Sequence, residues 1–228
     1  MDAAAKGQAL ASVAKRASAC RACALCQGRT NAVPGEGNPD ADIMFVGEGP
    51  GFYEDQQGRP FVGASGKFLD ELLAGIGLDR RKVFIANVVK CRPPNNRDPQ
   101  PDEIEACGAF LQEQIDIIEP KVIVTLGRHS MQRYFPGESI GRIHGTPRRK
   151  DGQIVVPMYH PAAALHQASL RKVIQADFAR LPEFLQRTLA GNDVEDAAVP
   201  AHLAKRQEAV AAAPTTPPQP EAQQMRLL

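Results

Sequence analysis

The sequence predicts an α/β fold in which helices cover both faces of a parallel sheet. Four short apolar runs, 43–46, 83–89, 122–126 and 154–158, have the length and β-branched content of buried strands. Segments of helical periodicity separate them, roughly 65–76, 101–118 and 127–134, and strands alternating with helices call for a parallel sheet. The motifs rich in Gly, Asn and His follow the carboxyl ends of these strands, where such sheets bind their ligands.

The elements follow in order. Residues 1–19 are Ala-rich, with Leu10 and Val13 at helical spacing, so an N-terminal surface helix is expected. A main domain over 20–190 then opens with Cys20, Cys23 and Cys26 and a Gly/Pro/Asn loop over 28–39. The first strand runs into Gly47-Glu48-Gly49-Pro50-Gly51 and on to Gly66, a glycine-rich strand-to-helix turn whose amides stay open to a ligand. Acids and two aromatics, Tyr53 and Phe61, share that turn, which reads as the floor and wall of a small pocket. Pro147 and Asp151-Gly152 predict a hairpin before the last strand, and Pro157 suits an edge or a strand terminus. One helix over 169–189 closes the domain. From 191 to 228 the composition shifts to Ala, Pro, Gln and Thr, which predicts a disordered tail.

At 228 residues, 43% hydrophobic and 23% charged, the chain has the composition of a soluble globular protein. No apolar run approaches the roughly 18 residues that span a bilayer. The N-terminus lacks a basic region followed by an apolar core. A cytoplasmic monomer without a membrane partner is therefore expected. The net charge of +1 decides nothing about nucleic acid, but its distribution does. Between 141 and 172, Arg142, Arg148, Arg149, Lys150, Arg171 and Lys172 face the single acid Asp151, a stretch suited to tracking phosphates.

Five cysteines in such a protein point to metal or redox chemistry rather than disulfides. Cys20 and Cys23 can present two thiolates from one turn, and Cys91 and Cys107 can supply two more. Four thiolates suit tetrahedral zinc or an iron–sulfur cluster, and spacing does not separate the two. Cys26 makes a second C-x2-C step, as a bystander or a competing ligand.

Several ordered motifs together resemble the family 4 uracil-DNA glycosylases, the iron–sulfur type of that superfamily. They are Cys20-x2-Cys23, Val33-Pro34-Gly35-Glu36-Gly37, Gly47-Glu48-Gly49-Pro50-Gly51 and Gly58-Arg59-Pro60-Phe61-Val62-Gly63. Asn87-Val88-Val89-Lys90-Cys91-Arg92-Pro93-Pro94, Asn96-Arg97, Cys107 and His160-Pro161-Ala162-Ala163 continue the series, which covers roughly 20–185. The resemblance implies a three-layer α/β/α sandwich with a central four-stranded parallel sheet. It also implies a structural [4Fe–4S] cluster held by Cys20, Cys23, Cys91 and Cys107, with Cys26 outside the ligand set. The implied activity is hydrolysis of the N-glycosidic bond of flipped-out deoxyuridine in DNA, leaving an abasic site.

Each residue of the implied site suits a task. Gly47 and Gly49 bring the backbone close to the base, and Phe61 offers a flat face on which uracil stacks. Asn87, at the end of an apolar strand, presents an amide complementary to the O4 acceptor and N3–H donor of uracil, a pattern that cytosine reverses. His160, held extended by Pro161, can aim an N–H at the O2 that gains charge as uracil leaves. Glu48 either positions the attacking water, stabilises the charge growing on the sugar, or lines the base edge at C5 and excludes thymine. Where another branch of the superfamily carries a water-activating Asp, this chain has Gly49. A related subgroup traps its substrate covalently through a histidine in an inserted loop. The corresponding stretch here, 95–101, has neither insert nor histidine, so turnover is expected. Leu165 is the candidate wedge for the space left by the flipped base, although Ala164 precedes it where the family commonly has Leu. Arg142, Arg148, Arg149 and Arg171 are candidate clamps on the DNA backbone.

The final residues, Gln224 through Leu228, resemble the short peptides bound by bacterial sliding clamps, and the resemblance implies a tether to the replication machinery. Two rivals from other classes use the same residues: an iron–sulfur nucleic-acid-binding protein without catalysis, and a zinc-stapled α/β hydrolase of free nucleotides.

Overall fold

The computed structural model describes residues 1–191. The expected tail beyond Gly191 and the clamp-like peptide ending at Leu228 lie outside the described residues. Among the described residues no helix is long and apolar enough to cross a membrane.

Helix α1 (Ala3–Ala19) starts where Asp2 accepts a hydrogen bond from the Ala5 N–H at 2.8 Å, and α2 (Leu25–Gly28) is a single turn among the first cysteines. The short strand β1 (Glu36–Gly37) precedes β2 (Ile43–Gly47), whose residues are all buried. Helices α3 (Phe52–Gln57) and α4 (Ala64–Gly75) lead to β3 (Phe84–Asn87). Helix α5 (Pro101–Ile118) begins in a capping box: Glu103 on its first turn accepts from the Gln100 N–H at 2.7 Å, and Pro101 occupies the first turn at no hydrogen-bonding cost. Strand β4 (Val122–Leu126) is followed by α6 (Arg128–Gln132), α7 (Ile140–Ile143), β5 (Arg148–Lys150) and β6 (Gln153–Met158). Helices α8 (Ala163–His166), α9 (Ser169–Ala179) and α10 (Leu181–Leu189) complete the domain.

The strands form one sheet in the order β1-β3-β2-β4-β6-β5. The pairs β2–β3, β2–β4 and β4–β6 are parallel, which gives the expected four-stranded parallel centre. The sheet has six strands rather than four, because β1 and β5 add antiparallel edges. At two and three residues they are too short for a periodic pattern to announce them. Pro157 sits past the end of the β5 pairing, where its missing N–H leaves no ladder bond unmade.

Alternate residues of each strand enter two separate cores. Ile43 and Phe45 pack with Phe68, Leu72, Ile174 and Phe184 of α4, α9 and α10. Met44 and Val46 pack with Leu10 and Val13 of α1 and with Leu111 and Ile115 of α5. Burial on both faces explains why the strand sequences read as unbroken apolar runs. The helix expected over 169–189 is broken into α9 and α10 at Arg180, since Pro182 fits the first turn of a new helix but not the interior of an old one.

Behind the last strand, His144 Nδ1 lies 2.7 Å from Asp177 Oδ2, with both side chains fully buried. The imidazole also packs on Tyr159, 4.6 Å between ring centroids. His144→Ala leaves a buried carboxyl without its partner, so urea denaturation should show a loss of about 3 kcal/mol. A midpoint equal to that of the parent would show that the pair contributes nothing to the fold.

Candidate active site

Chain order reverses on either side of β2, and the sheet opens a crevice beyond the carboxyl ends of its parallel strands. A pocket of about 470 Å³ fills that crevice. Glu48 and Gly49 reach it from the end of β2, Asn87 from the end of β3, and His160 from just after β6. Phe61 enters from the loop between α3 and α4. The four side chains singled out in the sequence, Glu48, Phe61, Asn87 and His160, thus meet in one place. Gly47 lies beneath them. A Cβ there would collide with Asn87 Oδ1 and come within 2.7 Å of the Phe61 ring, so the floor admits no side chain. A Cβ at Gly49 would stand 2.8 Å from Val89.

Asn87 is buried, and its Oδ1 accepts no hydrogen bond. A buried carbonyl oxygen left unpaired costs about 1–3 kcal/mol. Its backbone carbonyl is held separately, by Lys90 Nζ at 2.8 Å.

Phe61 is buried and adopts a left-handed backbone, φ +53°, which is unfavourable for an aromatic residue. Its surroundings hold it there. Glu54 Oε1 accepts from the Val62 and Gly63 N–H groups at 2.8 and 2.9 Å. Arg80 donates to the carbonyls of Pro60, at 2.8 Å, and Phe61, and its guanidinium pairs with Glu36 at 3.0 Å and Asp70 at 2.6 Å. Gly66 completes the arrangement, since any Cβ there would overlap the Phe61 carbonyl. The phenyl ring then stacks on His160, 5.4 Å between centroids and 23° between planes.

Burial pushes the His160 imidazole down to about 4, so the ring is neutral near pH 7. Its Nδ1 accepts from the Ala162 N–H at 3.1 Å, which assigns the remaining hydrogen to Nε2. Gly127, at φ +96°, a backbone that side-chain-bearing residues rarely adopt, lies against His160: a Cβ there would stand 3.1 Å from the His160 Cβ.

Glu48 is only partly exposed, and desolvation raises its carboxyl above the ordinary range. His129, with Nε2 at 3.8 Å, opposes that rise, while Asp98 reinforces it and Arg128 opposes it. His129 also lies 3.0 Å from Asp98. Nothing in its sequence context marks His129, because Asp98 and Glu48 reach it from distant parts of the chain. Arg97 and His166 line the pocket as well. Arg97 is clamped by Glu103 through bonds of 2.6 and 2.8 Å, so the helix cap of α5 also fixes the pocket wall.

A second depression gathers Cys20, Cys23, Cys26, Cys91 and Cys107, with no disulfide among them. Arg29 donates to Cys91 Sγ at 3.1 Å, and the Lys90 N–H to Cys107 Sγ at 3.2 Å. Burial raises both thiols, Cys107 to about 11, so an added cation or cluster would be needed to hold them as thiolates here. The only set of three or more His, Cys, Asp or Glu ligand atoms mutually within 4.8 Å, among the described residues, is Glu48, Asp98 and His129. A single tetrahedral zinc, with Zn–S about 2.3 Å, would draw its sulfurs to roughly 3.8 Å. Four thiols lining one depression, with N–H donors on two of the sulfurs, are a donor set that zinc or an iron–sulfur cluster could occupy.

Leu165 is 48% exposed on α8, between pocket-lining residues. The arginines are dispersed. Arg171 pairs with Glu71 and stacks on Phe68 of α4, 4.3 Å from the ring centroid. Arg148 meets Glu138 at 3.3 Å. The β5–β6 register sets Arg148 and Arg149 opposite Val155 and Ile154, near the start of β6 and away from its pocket end. Arg142 lies on α7. The structure does not bring these four to the pocket lining.

The model of the uracil DNA glycosylase superfamily matches residues 34–187. A type-4 uracil-DNA glycosylase of Sulfurisphaera tokodaii is 57% identical over 174 residues, 72% of this chain and 79% of the relative. Proteins of the same name from Saccharolobus solfataricus and Thermotoga maritima are 50% and 47% identical, covering 76% and 77% of this chain and 85% and 94% of theirs. On these matches, and with its pocket at the strand ends where the family motifs fall, the chain belongs to the uracil DNA glycosylase superfamily.

Proposed function

We propose that the protein hydrolyses the N-glycosidic bond of deoxyuridine in DNA, releasing uracil and leaving an abasic site. The unpaired Oδ1 of buried Asn87 carries the reading. A uracil N3–H satisfies that oxygen and the amide NH2 meets O4, whereas cytosine would set acceptor against acceptor and donor against donor. The base must leave the duplex stack to reach the pocket, and Phe61 supplies a replacement stacking face.

As the glycosidic bond breaks, its electron pair moves onto uracil and charge gathers on O2. The neutral His160, its Nε2–H fixed by the Nδ1 bond to Ala162, donates to that oxygen. A neutral donor suits the task because no ion pair has to form before the chemistry. Glu54 also lines the pocket, but its Oε1 is committed to two backbone N–H groups. Glu48 is thus the carboxylate that holds the attacking water and balances the positive charge growing on the sugar.

Cys20, Cys23, Cys91 and Cys107 are the residues that would hold a [4Fe–4S] cluster. Bound there, such a group would act as a covalent staple joining the end of α1, the segment after β3 and α5. Cys26 is not needed for it.

Incubation with a uracil-containing oligonucleotide, then alkaline cleavage of abasic sites, should show uracil release by the wild type. Asn87→Ala and His160→Ala should each lose on the order of 100-fold or more in rate. DNA binding without release, or undiminished release by both variants, would overturn the assignment.

Iron and sulfide analysis of purified protein should find both elements, with visible absorbance. Cys26→Ala should keep them, and Cys20→Ala or Cys107→Ala should lose them. Stoichiometric zinc without iron would refute the cluster.

A further inference from the structure

Phe52 and Tyr53 are 49% and 60% exposed, and neither joins either hydrophobic core. Large exposed aromatics side by side contribute little to folding and suggest a contact surface. Their rings meet edge to face, 5.4 Å between centroids and 80° between planes. Their place is specific: they lie between Gly51 and Glu54, both of which line the pocket. Arg92 lies over the Phe52 ring, 5.1 Å from its centroid, and donates through Nε at 2.7 Å to Asn96, another lining residue. The pocket wall thus continues outward as two aromatic rings backed by a cation. Leu165, exposed on α8 beside Ala163 and His166, stands on a separate part of the same rim.

Extracting one nucleotide from a strand deprives its neighbour of a stacking partner. An exposed aromatic beside the pocket restores that contact, and an adjacent guanidinium suits the phosphate between the two nucleotides. We propose that Phe52 and Tyr53, with Arg92, form a stacking platform for the nucleobase next to the flipped deoxyuridine on the same strand. The proposal rests on the pocket being the uracil site.

The test compares wild type with Phe52→Ala/Tyr53→Ala on two single-stranded oligonucleotides. One carries uracil between normal nucleotides. In the other, the nucleotides on both sides of the uracil are replaced by base-free spacers. The double variant should lose roughly tenfold in kcat/KM on the normal strand. On the spacer strand it should match wild type within about twofold, since no base remains to stack. Phe52→Trp/Tyr53→Trp should retain the wild-type preference for the normal strand. Equal loss on both strands, or no loss on either, overturns the platform. Should the wild type release uracil from neither strand, the reading of the pocket fails separately. The platform is then decided by 2-aminopurine placed beside the uracil. Emission quenched on binding by wild type but not by the alanine variant supports it, and equal emission refutes it.

Discussion

The pocket depends on one aromatic residue held in a backbone conformation that it would not choose. Phe61 sits at φ +53°, a placement that costs on the order of 1–3 kcal/mol and persists only where neighbours over-determine it. Three groups supply that constraint. Glu54 gathers the two N–H groups after Phe61, Arg80 gathers the carbonyls of Pro60 and Phe61, and Gly66 leaves the space that the Phe61 carbonyl needs. Arg80 is anchored in turn by Glu36 of the edge strand β1 and Asp70 of α4. The phenyl ring thereby lies over Gly47 and beside His160, with its position set before any ligand arrives.

The carboxylates of this loop divide into structural and chemical groups by what they touch. Glu54 and Asp55 are buried and accept backbone N–H bonds, Asp55 from Thr30 at 2.9 Å, tying the loop back to the segment after the first cysteines. Glu48 faces the pocket among other titratable groups, and burial keeps its carboxyl above the usual range. His160 is neutral for the same reason, desolvation, which makes it a donor without a charge. One physical effect therefore sets the ionisation of both groups, with opposite consequences for an acid and a base.

The parallel centre of the fold was legible because strands buried on both faces must be apolar throughout, as 43–46 and 122–126 are. Of the edge strands, β1 was not, since two residues carry no period, whereas the Asp151-Gly152 turn announced the β5–β6 hairpin. Asn87, Phe61 and His160 were legible through their motifs and their places at strand ends and loops. Glu54, Asp55 and Arg80 were not assigned roles. Their partners are backbone groups at distances in sequence that no local pattern encodes. Pocket-lining Arg97 was noticed only as part of a motif, and its bidentate grip on Glu103 appears once α5 is capped. His129 carried no signal, because Glu48 and Asp98 converge on it only in the folded chain. The basic stretch of sequence did not show that the β5–β6 register sets Arg148 and Arg149 opposite the start of β6, away from its pocket end.

Glu54 accepts the N–H groups of Val62 and Gly63 and so fixes the Phe61 loop, a positioning role distinct from that of a reacting carboxylate. The most direct test measures kcat/KM for uracil release by Glu54→Gln and Glu54→Ala. An amide oxygen can still accept from Val62 and Gly63, so Glu54→Gln should stay within about tenfold of wild type, allowing for one weakened pair of hydrogen bonds. Glu54→Ala should fall on the order of 100-fold or more as the ring loses its position. A Glu54→Gln enzyme as inactive as Glu54→Ala, or an alanine variant with the wild-type rate, would contradict the account.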